Sequence, residues 1–357
     1  MKVKKALIAM SGGVDSSVAA YLTKQAGFEC AGVTLKLFDG EAADACGEKT
    51  CCSLDDIEDA RSVCLRLGIP YYVYNFKDSF DEQVIARFIR AYESGATPNP
   101  CIDCNRYIKF ERLARRAEEL GFDRVVTGHY ASVERGTDGR YLLKKAKDLS
   151  KDQSYVLYSL TQRQLKMAYF PLGGMTKEEA RQLAESLDFI NARKRDSQDI
   201  CFVPDGDYAA FIERYTGKRY PCGEFVDEDG NVLGEHKGII RYTIGQRKGL
   251  GLALPHPMYV KEKDLAGNKV ILCENERLFS QSLTAKDINL ISVEQIGAPM
   301  RVKARVRYNQ KEQPATVVQL DEDTISVSFD EPQRAVCKGQ AVVLYDGDYV
   351  VGGGTIV

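Results

Sequence analysis

Short apolar runs alternate with helical patterns over the first 130 residues. Residues 3–10 form an apolar run that ends in Ser11-Gly12-Gly13, which predicts a buried strand followed by a tight turn. Strands are also predicted over 30–38, 71–76 and 124–127, and helices over 16–26, 53–67, 78–93 and 105–120. Strands separated by helices predict an α/β fold, with a parallel sheet that is covered on both faces.

The pattern changes after about residue 205. Glycine and proline become frequent, helical periodicity disappears, and residues 223–258 carry turn signals between short β-type runs. Later strands are predicted over 300–308, 314–320, 324–329 and 340–345, a spacing typical of a small β-barrel or sandwich. We therefore expect an α/β N-terminal domain over 1–205, a small β-rich central domain over 206–280 and a C-terminal β-barrel over 281–357.

Composition excludes several classes of protein. The 357 residues include 49 Lys+Arg and 51 Asp+Glu, for a formal net charge of −2, and 44% are hydrophobic. These values are ordinary for a globular protein and argue against disorder. The basic start is followed by an apolar run of only residues 6–10, too short for a signal sequence, and no apolar run suits a membrane span. We expect a soluble, unexported, cytoplasmic protein.

A near-zero net charge does not indicate a general polyanion binder, so any nucleic-acid contact must use local basic faces. Three such faces stand out. They comprise Arg301, Lys303, Arg305 and Arg307 on a strand, Arg106, Lys109, Arg112, Arg115 and Arg116 on a helix, and the stretch Lys144, Lys145, Lys147 and Lys151. Each face suits phosphate contacts, and each is equally compatible with an ordinary solvated surface.

The turn Ser11-Gly12-Gly13-Val14-Asp15-Ser16-Ser17 is the strongest local signal. Its glycines let backbone N–H groups face a ligand at a helix start, and the Ser16 and Ser17 hydroxyls could donate to phosphate. Asp15 suits a phosphate site only with a cation such as Mg²⁺ between them. The pattern lacks the lysine of the Walker loop, and the alternative is a tight turn with a serine-capped helix.

Further motifs follow in one order along the whole chain. They are Thr97-Pro98-Asn99-Pro100-Cys101-Ile102-Asp103-Cys104-Asn105, Thr127-Gly128-His129-Tyr130, Lys151-Asp152-Gln153-Ser154-Tyr155, Asp199-Ile200-Cys201-Phe202 and Thr243-Ile244-Gly245-Gln246-Arg247. Together with the glycine-rich turn, which resembles the ATP loop of pyrophosphatase type, they resemble the tRNA-specific 2-thiouridylase family. That family replaces the 2-oxygen of the wobble uridine of certain tRNAs with sulfur.

The resemblance implies an adenine nucleotide α-hydrolase-like N-terminal domain, ATP and Mg²⁺ as requirements, and tRNA as partner. The positions that match ATP contacts are Ala9, Met10, Ser11, Gly12, Gly13, Val14, Asp15, Ser16, Leu35 and Gly128, with Leu35 standing where the family usually has Met. The positions that match tRNA contacts are Asn99, Pro100, Cys101, His129, Lys151, Asp152, Gln153, Arg307, Tyr308 and Gln340.

The resemblance also implies two catalytic cysteines. Cys104 matches the family's nucleophile, and Cys201 matches the cysteine that carries a persulfide, loaded by a cysteine desulfurase or a sulfur-relay protein. Release of the sulfur would leave a disulfide between them. Arg106 or Lys109 could favour the thiolate form. For Cys201 alone, between Ile200 and Phe202, a buried core thiol is the ordinary alternative.

Cys101 stands where many family members have Asp. Together with Cys104 and Cys201 it could hold an iron–sulfur cluster, and the Cys101-x-x-Cys104 pair alone could be a redox pair or zinc ligands. We rank persulfide chemistry above the cluster. A second group, Cys46, Cys51 and Cys52, does not match a zinc-finger spacing and is expected to pack within a loop.

Two rival functions share some of these features. An ATP pyrophosphatase-type ligase or amidotransferase, similar to argininosuccinate synthase, would use the same loop without paired cysteines. A non-catalytic RNA-binding or redox-sensing module would hold nucleotide as a structural ligand. A trapped Cys104–Cys201 disulfide argues against the first, and release of pyrophosphate argues against the second.

Overall fold

The computed structural model describes residues 3–38, 54–194 and 200–357. The predicted start of the second helix at Ser53 therefore lies outside the described residues, as does the group Cys46, Cys51 and Cys52. No helix in these three ranges is both long and apolar enough to cross a membrane.

The N-terminal sheet has five parallel strands in the order β3-β2-β1-β4-β7. Their bounds are β1 Lys5–Ala9, β2 Glu29–Lys36, β3 Tyr71–Asn75, β4 Arg124–Val126 and β7 Ala168–Tyr169. Successive residues of a strand point to opposite faces, so Leu7 joins one apolar cluster and Ile8 joins another. The sheet is therefore buried on both faces, as the alternating pattern predicted.

The helices of this region cover the sheet. They are α1 Val14–Gln25, α2 Leu54–Leu67, α3 over residues 77–93, α4 over residues 100–119, α5 Ser154–Leu157, α6 Gln162–Met167 and α7 Lys177–Ser186. Both α3 and α4 contain a π-helical segment, Asp81–Ile85 and Cys104–Arg112 respectively.

The prediction placed the start of α4 at residue 105. The helix begins earlier because Asn99 caps it and Pro100 occupies its first turn.

The central region contains a helix that we did not predict. Helix α8, Tyr208–Thr216, follows the cap Asp207 and ends at Gly217 with φ +68°. The expectation that helical periodicity disappears after residue 205 is therefore wrong at this point. Beyond it lies a four-stranded sheet in the order β10-β11-β8-β9, with β8 Gly223–Val226, β9 Val232–His236, β10 Tyr259–Asp264 and β11 Lys269–Cys273.

The C-terminal region is a closed barrel. Its strands are β12 Phe279–Leu290, β13 Met300–Arg305, β14 Gln313–Gln319, β15 Ile325–Arg334, β16 Ala341–Asp346 and β17 Tyr349–Ile356, and pairing of β12 with β17 closes it. The prediction missed β17 because of its glycines. At Gly353 an added Cβ would lie 2.8 Å from the Tyr158 ring, so glycine permits close packing on the N-terminal domain.

A hairpin of the N-terminal region extends the barrel sheet. It consists of β5 Ala131–Arg135 and β6 Tyr141–Lys145, and β6 pairs with β17 through Lys144 and Tyr349. Tyr155 reinforces this junction, since its fully buried hydroxyl donates to the Ala341 carbonyl at 2.8 Å. The first and last regions of the chain are therefore joined by backbone pairing as well as by side chains.

Candidate active site

A cavity of about 310 Å³ lies at the carboxyl ends of β1, β2 and β4. This is the edge where open parallel sheets place their ligands. Of the positions matched to ATP, the cavity is lined by Ala9, Met10, Ser11, Asp15, Ser16, Leu35 and Gly128, whereas Gly12, Gly13 and Val14 do not line it. Of the positions matched to tRNA, it is lined by Pro100, Cys101, His129 and Gln153.

The turn after β1 depends on glycine. Gly12 has φ +71°, and a Cβ there would lie 2.5 Å from the carbonyl oxygen of Asp56 at the start of α2. At Gly128, an added Cβ would lie 2.8 Å from the backbone nitrogen of Ser16. Both glycines therefore allow other segments to approach the loop closely.

The loop serines have different surroundings. The Ser16 hydroxyl donates to the Gly13 carbonyl at 2.9 Å and lines the cavity. Ser17 is fully buried, and its hydroxyl donates to the same carbonyl at 3.1 Å while accepting from Asn191 at 2.9 Å. The phosphate contact expected of Ser17 is thus replaced by a structural role, because its hydroxyl is engaged inside the protein.

Asp15 is held by a lysine that sequence reasoning missed. The Lys177 ammonium lies 2.8 Å from each Asp15 carboxylate oxygen, and the Tyr130 hydroxyl donates to one of them at 2.9 Å. Lys177 is the first residue of α7 and is buried. We expected a cation next to Asp15, and in this structure the lysine ammonium occupies that place.

Asn191 and Lys194 also hold the loop, and neither was predicted from the sequence. The Asn191 amide donates to the Gly12 carbonyl at 2.9 Å, and the Lys194 ammonium lies 3.3 Å from the same oxygen. Lys194 also pairs with Asp56 at 2.6 Å and Asp59 at 2.7 Å. Burial alone would lower the pKa of Lys194, but the two carboxylates outweigh it and raise this pKa, so the ammonium stays charged. Only the tertiary structure shows these contacts, since no local motif marks them.

The two cysteines predicted to react share the cavity with the loop. Cys104 and Cys201 both line it and both are half-buried, although they are far apart in the sequence. Phe202 fixes the position next to Cys201, because its ring packs edge-on against Phe80 and Phe88, with centroids 5.8 and 5.2 Å away. The alternative of a fully buried core thiol for Cys201 does not fit this exposure.

The two cations considered for Cys104 point to different places. Lys109 lines the cavity, and its ammonium donates to Asn105 at 3.1 Å. Arg106 instead makes a two-bond ion pair with Asp287 of β12, at 2.5 and 3.1 Å. Lys109 is thus the cation on the cavity side, and Arg106 connects α4 to the barrel.

Cys101 also lines the cavity and is exposed. In the described ranges, no set of three or more His, Cys, Asp or Glu side chains is arranged to hold a metal ion. The three cysteines therefore surround one space without forming a ligand set.

His129 is a buried, neutral side chain at the cavity wall. Burial lowers its pKa well below the usual value, and the nearby Lys109 lowers it further. Its Nδ1 lies 2.6 Å from the Thr127 hydroxyl. An uncharged imidazole fixed in this way can form a hydrogen bond with a neutral base.

The residues of the motif 151–153 have different surroundings, some at the cavity and some in the interior. Gln153 lines the cavity, and its side-chain oxygen accepts from the Tyr130 backbone at 2.9 Å. Asp152 is buried, accepts from the Ser154 hydroxyl at 2.7 Å and lies 3.5 Å from Arg305 of the barrel. Lys151 is half-buried and does not line the cavity.

The C-terminal positions matched to tRNA lie at the junctions between domains. One Arg307 nitrogen donates to the carbonyls of Ile244 at 3.1 Å and Ala335 at 2.8 Å. The Gln340 amide donates to the Thr97 carbonyl at 2.7 Å, and the Tyr308 hydroxyl lies 3.4 Å from the Asp152 carbonyl. In this structure each of the three makes contacts within the protein.

Asn99 faces away from the main cavity. Its side chain accepts from the Cys101 backbone at 3.1 Å, and the residue lines a separate depression of about 240 Å³ with Arg87, Arg90 and Asp103. The residues of the motif 97–105 therefore line two separate spaces. Their helical turn presents Pro100, Cys101 and Cys104 to the cavity, and Asn99 and Asp103 to the depression.

The basic faces are less continuous than the sequence predicted. Arg301 pairs with Asp330, Arg305 turns inward to Asp152, and Arg307 lies beyond the end of β13. Lys303 is the exposed cation of that strand without an ion pair among the described residues. In the other faces, ion pairs with acidic neighbours engage Arg106, Arg115, Arg116, Lys144, Lys145 and Lys147.

Comparison with known proteins assigns the family. A family model described as tRNA methyl transferase HUP domain matches residues 4–205, a tRNA methyl transferase PRC-barrel domain matches 209–274, and an aminomethyltransferase beta-barrel domain matches 280–356. A relative from Clostridioides difficile named tRNA-specific 2-thiouridylase MnmA is 51% identical, over 99% of this chain and 98% of that protein. A relative of the same name from Acetivibrio thermocellus is 51% identical over the full length of both chains.

The chain belongs to the tRNA-specific 2-thiouridylase family. The resemblance predicted from the ordered motifs is thereby confirmed. The predicted fold class is also confirmed, with a parallel-sheet N-terminal domain, a small central domain and a closed six-stranded C-terminal barrel. Among solved structures, an NMN synthetase from Francisella tularensis is similar over 61% of this chain and 79% of its own, at 16% identity and a TM-score of 0.35, which is too weak to bear on function.

Proposed function

We propose that this protein is an ATP-dependent sulfurtransferase that replaces the 2-oxygen of the wobble uridine of tRNA with sulfur. One observation carries the proposal. Cys104 and Cys201, remote in sequence, line the same cavity as Ser11, Asp15 and Ser16 of the glycine-rich loop. Relatives that are 51% identical over nearly their whole length are named for this activity.

In the first step the C2 oxygen of uridine attacks the α-phosphate of ATP, and pyrophosphate leaves. The carbonyl oxygen, a poor leaving group, becomes part of an AMP ester that departs readily. The backbone N–H groups of residues 11–16 would bind the phosphates at the start of α1. Mg²⁺, which prefers carboxylate and phosphate oxygens, would neutralise charge on the departing pyrophosphate, and Asp15 could hold it only by giving up its ion pair with Lys177.

In the second step a persulfide on Cys201 supplies the sulfur. Its terminal sulfur attacks C2, and AMP leaves with the former uridine oxygen. The Cys104 thiolate then attacks the Cys201 sulfur, which breaks the S–S bond to the transferred atom and leaves a Cys104–Cys201 disulfide. Lys109 is the cation on the cavity side that would favour the attacking thiolate.

The base must leave its stack to reach this cavity. The neutral imidazole of His129 and the side chain of Gln153 are suited to hydrogen bonds with the uracil edge. We assign the remaining tRNA contacts to Asn99, Pro100, Cys101, Lys151, Asp152, Arg307, Tyr308 and Gln340. Because several of these are engaged at domain junctions, tRNA binding would have to replace some of those contacts.

The sulfur donor belongs to the same proposal. A persulfide on Cys201 needs a protein that extracts sulfur from cysteine, so we propose a cysteine desulfurase or a sulfur-relay protein as partner. The proposed location is the cytoplasm, where ATP and tRNA are both available.

The test is mass spectrometry of tRNA nucleosides after incubation with ATP, Mg²⁺ and a sulfur donor. We expect 2-thiouridine with the wild-type protein and none with Cys104→Ser or Cys201→Ser. Cys222→Ser is the matched control, since Cys222 is exposed but does not line the cavity. Equal product from all four proteins would refute the catalytic assignment. Wild-type protein that binds tRNA without releasing pyrophosphate would be a binding module instead.

A further inference from the structure

A third cysteine lies in the cavity without a role in the transfer just described. Cys101 stands three residues before Cys104 at the start of α4, and both line the cavity together with Cys201. Cys101 is exposed, whereas the other two are half-buried. The thiol that the transfer step does not use is therefore the one that solvent reaches most easily.

The local geometry favours a bond between Cys101 and Cys104. Residues three apart on a helix lie on one face, with Cβ atoms about 5–6 Å apart, so a disulfide requires this turn to bring them about 1–2 Å closer, to the roughly 3.5–4.5 Å that such bonds span. The first turn is well defined, because the Asn99 side chain accepts a hydrogen bond from the Cys101 backbone at 3.1 Å and Pro100 follows the cap. A shift of the first helical turn, together with rotation of the two side chains, would bring the sulfurs together.

We infer that Cys101 is a resolving cysteine that resets the enzyme after each sulfur transfer. This inference rests on the proposed function, which ends with a Cys104–Cys201 disulfide. The Cys101 thiolate attacks the Cys104 sulfur, a Cys101–Cys104 bond forms, and Cys201 leaves as a thiolate that can accept a new sulfur atom. One thiolate and one disulfide are consumed and one of each is formed, so this step needs no oxidant or reductant.

The cycle closes with an external dithiol. One thiolate of the dithiol attacks the exposed Cys101 sulfur and releases Cys104, and its second thiol then displaces Cys101. The dithiol becomes a disulfide, and both enzyme cysteines return to thiols. A protein dithiol that is too large to enter the cavity could reach Cys101, whereas the half-buried Cys104–Cys201 bond is shielded from it.

The arrangement of the three cysteines suits stepwise exchange. Exchange brings the three sulfurs together transiently and in a line, whereas a cluster requires three thiolates to hold one metal core at the same time. Among the side chains that the structure describes, no such convergent set of ligands is present. Iron bound in proportion to the protein and lost in Cys101→Ala would overturn the resolving role in favour of a cluster.

The experiment compares the wild type, Cys101→Ser and the control Cys222→Ser with excess tRNA, ATP and sulfur donor, and with a thioredoxin-type protein as the dithiol. We expect the wild type and the control to turn over repeatedly. Cys101→Ser should give a burst of about one product per enzyme, after which its steady-state rate falls about tenfold or more below that of the wild type. A small dithiol in large excess should rescue it, because that molecule can enter the cavity.

Peptide mapping after alkylation identifies the disulfide that accumulates when the dithiol is exhausted. We expect Cys101–Cys104 in the wild type and Cys104–Cys201 in Cys101→Ser. If both proteins accumulate Cys104–Cys201 and have the same steady-state rate, the resolving role is wrong while the proposed function stands. If the wild type forms no 2-thiouridine at all, the proposed function itself fails.

Discussion

The nucleotide loop and the junction between the central region and the barrel treat buried charge in opposite ways. At the loop, Lys177 pairs with Asp15, and Lys194 pairs with Asp56 and Asp59. At the junction, the Lys263 ammonium and the Arg307 Nε are buried without a hydrogen-bond partner in the described structure. The charged groups at the loop are thus matched, although the neutral Asn191 Oδ1 beside it has no hydrogen-bond partner among the described residues, whereas the junction buries two cationic nitrogens without partners.

This difference indicates that the nucleotide loop is preorganised, whereas the junction can exchange its contacts. A loop that must bind phosphates without rearrangement benefits from fixed partners on every side. A junction with uncompensated buried groups is less stable, and new partners on it would be favourable. We propose Arg307, at this junction, as a tRNA contact, and the contrast supports the proposal of a preformed nucleotide site and a tRNA surface that forms on binding.

Gly12→Ala should have the largest effect, at the loop. The new Cβ would lie 2.5 Å from the Asp56 carbonyl oxygen at a φ of +71°. We expect a loss of about 2–4 kcal/mol in the free energy of unfolding and at least about a hundredfold loss in ATP affinity. Urea denaturation and calorimetric ATP titration measure both quantities. Gly27→Ala is the control, since Gly27 has φ +82° with no atom within 4 Å of the new Cβ.

Asp152→Asn should damage a second junction, between the N-terminal domain and the barrel, and leave the loop intact. Asp152 is buried, accepts hydrogen bonds from Ser154 and lies 3.5 Å from Arg305. An amide would remove the ion pair with Arg305 and would point its own N–H groups at the groups of Ser154 that donate to Asp152. We expect the free energy of unfolding to fall by about 2–4 kcal/mol. Asp330→Asn, which breaks the exposed pair with Arg301, should have a much smaller effect on the free energy of unfolding, because solvent screens that pair. An equal loss of ATP affinity in Asp152→Asn and Gly12→Ala would contradict the separation of the two regions.

Lys263→Met should stabilise the protein. Burial lowers the pKa of Lys263 from 10.5 to about 8, so the folded state disfavours the charged form. Because a shift of one pKa unit corresponds to about 1.36 kcal/mol, the free energy of unfolding at pH 7 should rise by roughly 1–3 kcal/mol. Because the folded pKa is the lower one, the penalty is complete below pH 8 and disappears as the pH rises toward 10.5. Denaturation at several pH values tests this, with Lys237→Met as control, since Lys237 is exposed. A gain that does not shrink above pH 8 would point to packing rather than charge.

Lys303→Gln should have the smallest effect, confined to tRNA binding. Lys303 is exposed, without an ion pair in the described part of the chain, so its charge is available to phosphate. We expect a fall of roughly one in the slope of log affinity against log salt concentration. Arg301→Gln should change the slope less, because Asp330 already neutralises Arg301. Unchanged salt slopes in both variants would exclude this strand from the tRNA surface.

The fold was largely predictable from the chain. Four of the five strands of the N-terminal sheet appear within a few residues of their predicted positions, because a buried parallel strand is a continuous apolar run and a covering helix has its own period. The two-residue strand β7 was not predicted. Strand β17 was missed because residues 352–354 are all glycine, a composition that disfavours strands unless another segment packs close to them. Helix α8 was missed because it is short and lies among turn residues.

The glycine-rich loop, the alternation along β13 and the order of the motifs follow from the sequence itself, because each depends on neighbouring residues or on a simple period. Tertiary packing alone decided that Cys101, Cys104 and Cys201 share one cavity, that Lys177 and Lys194 hold the loop, and that Arg305 turns inward. A side-chain period shows which face of an element a residue occupies. It does not show which distant element will cover that face, and the chemistry of this site depends on such long-range contacts.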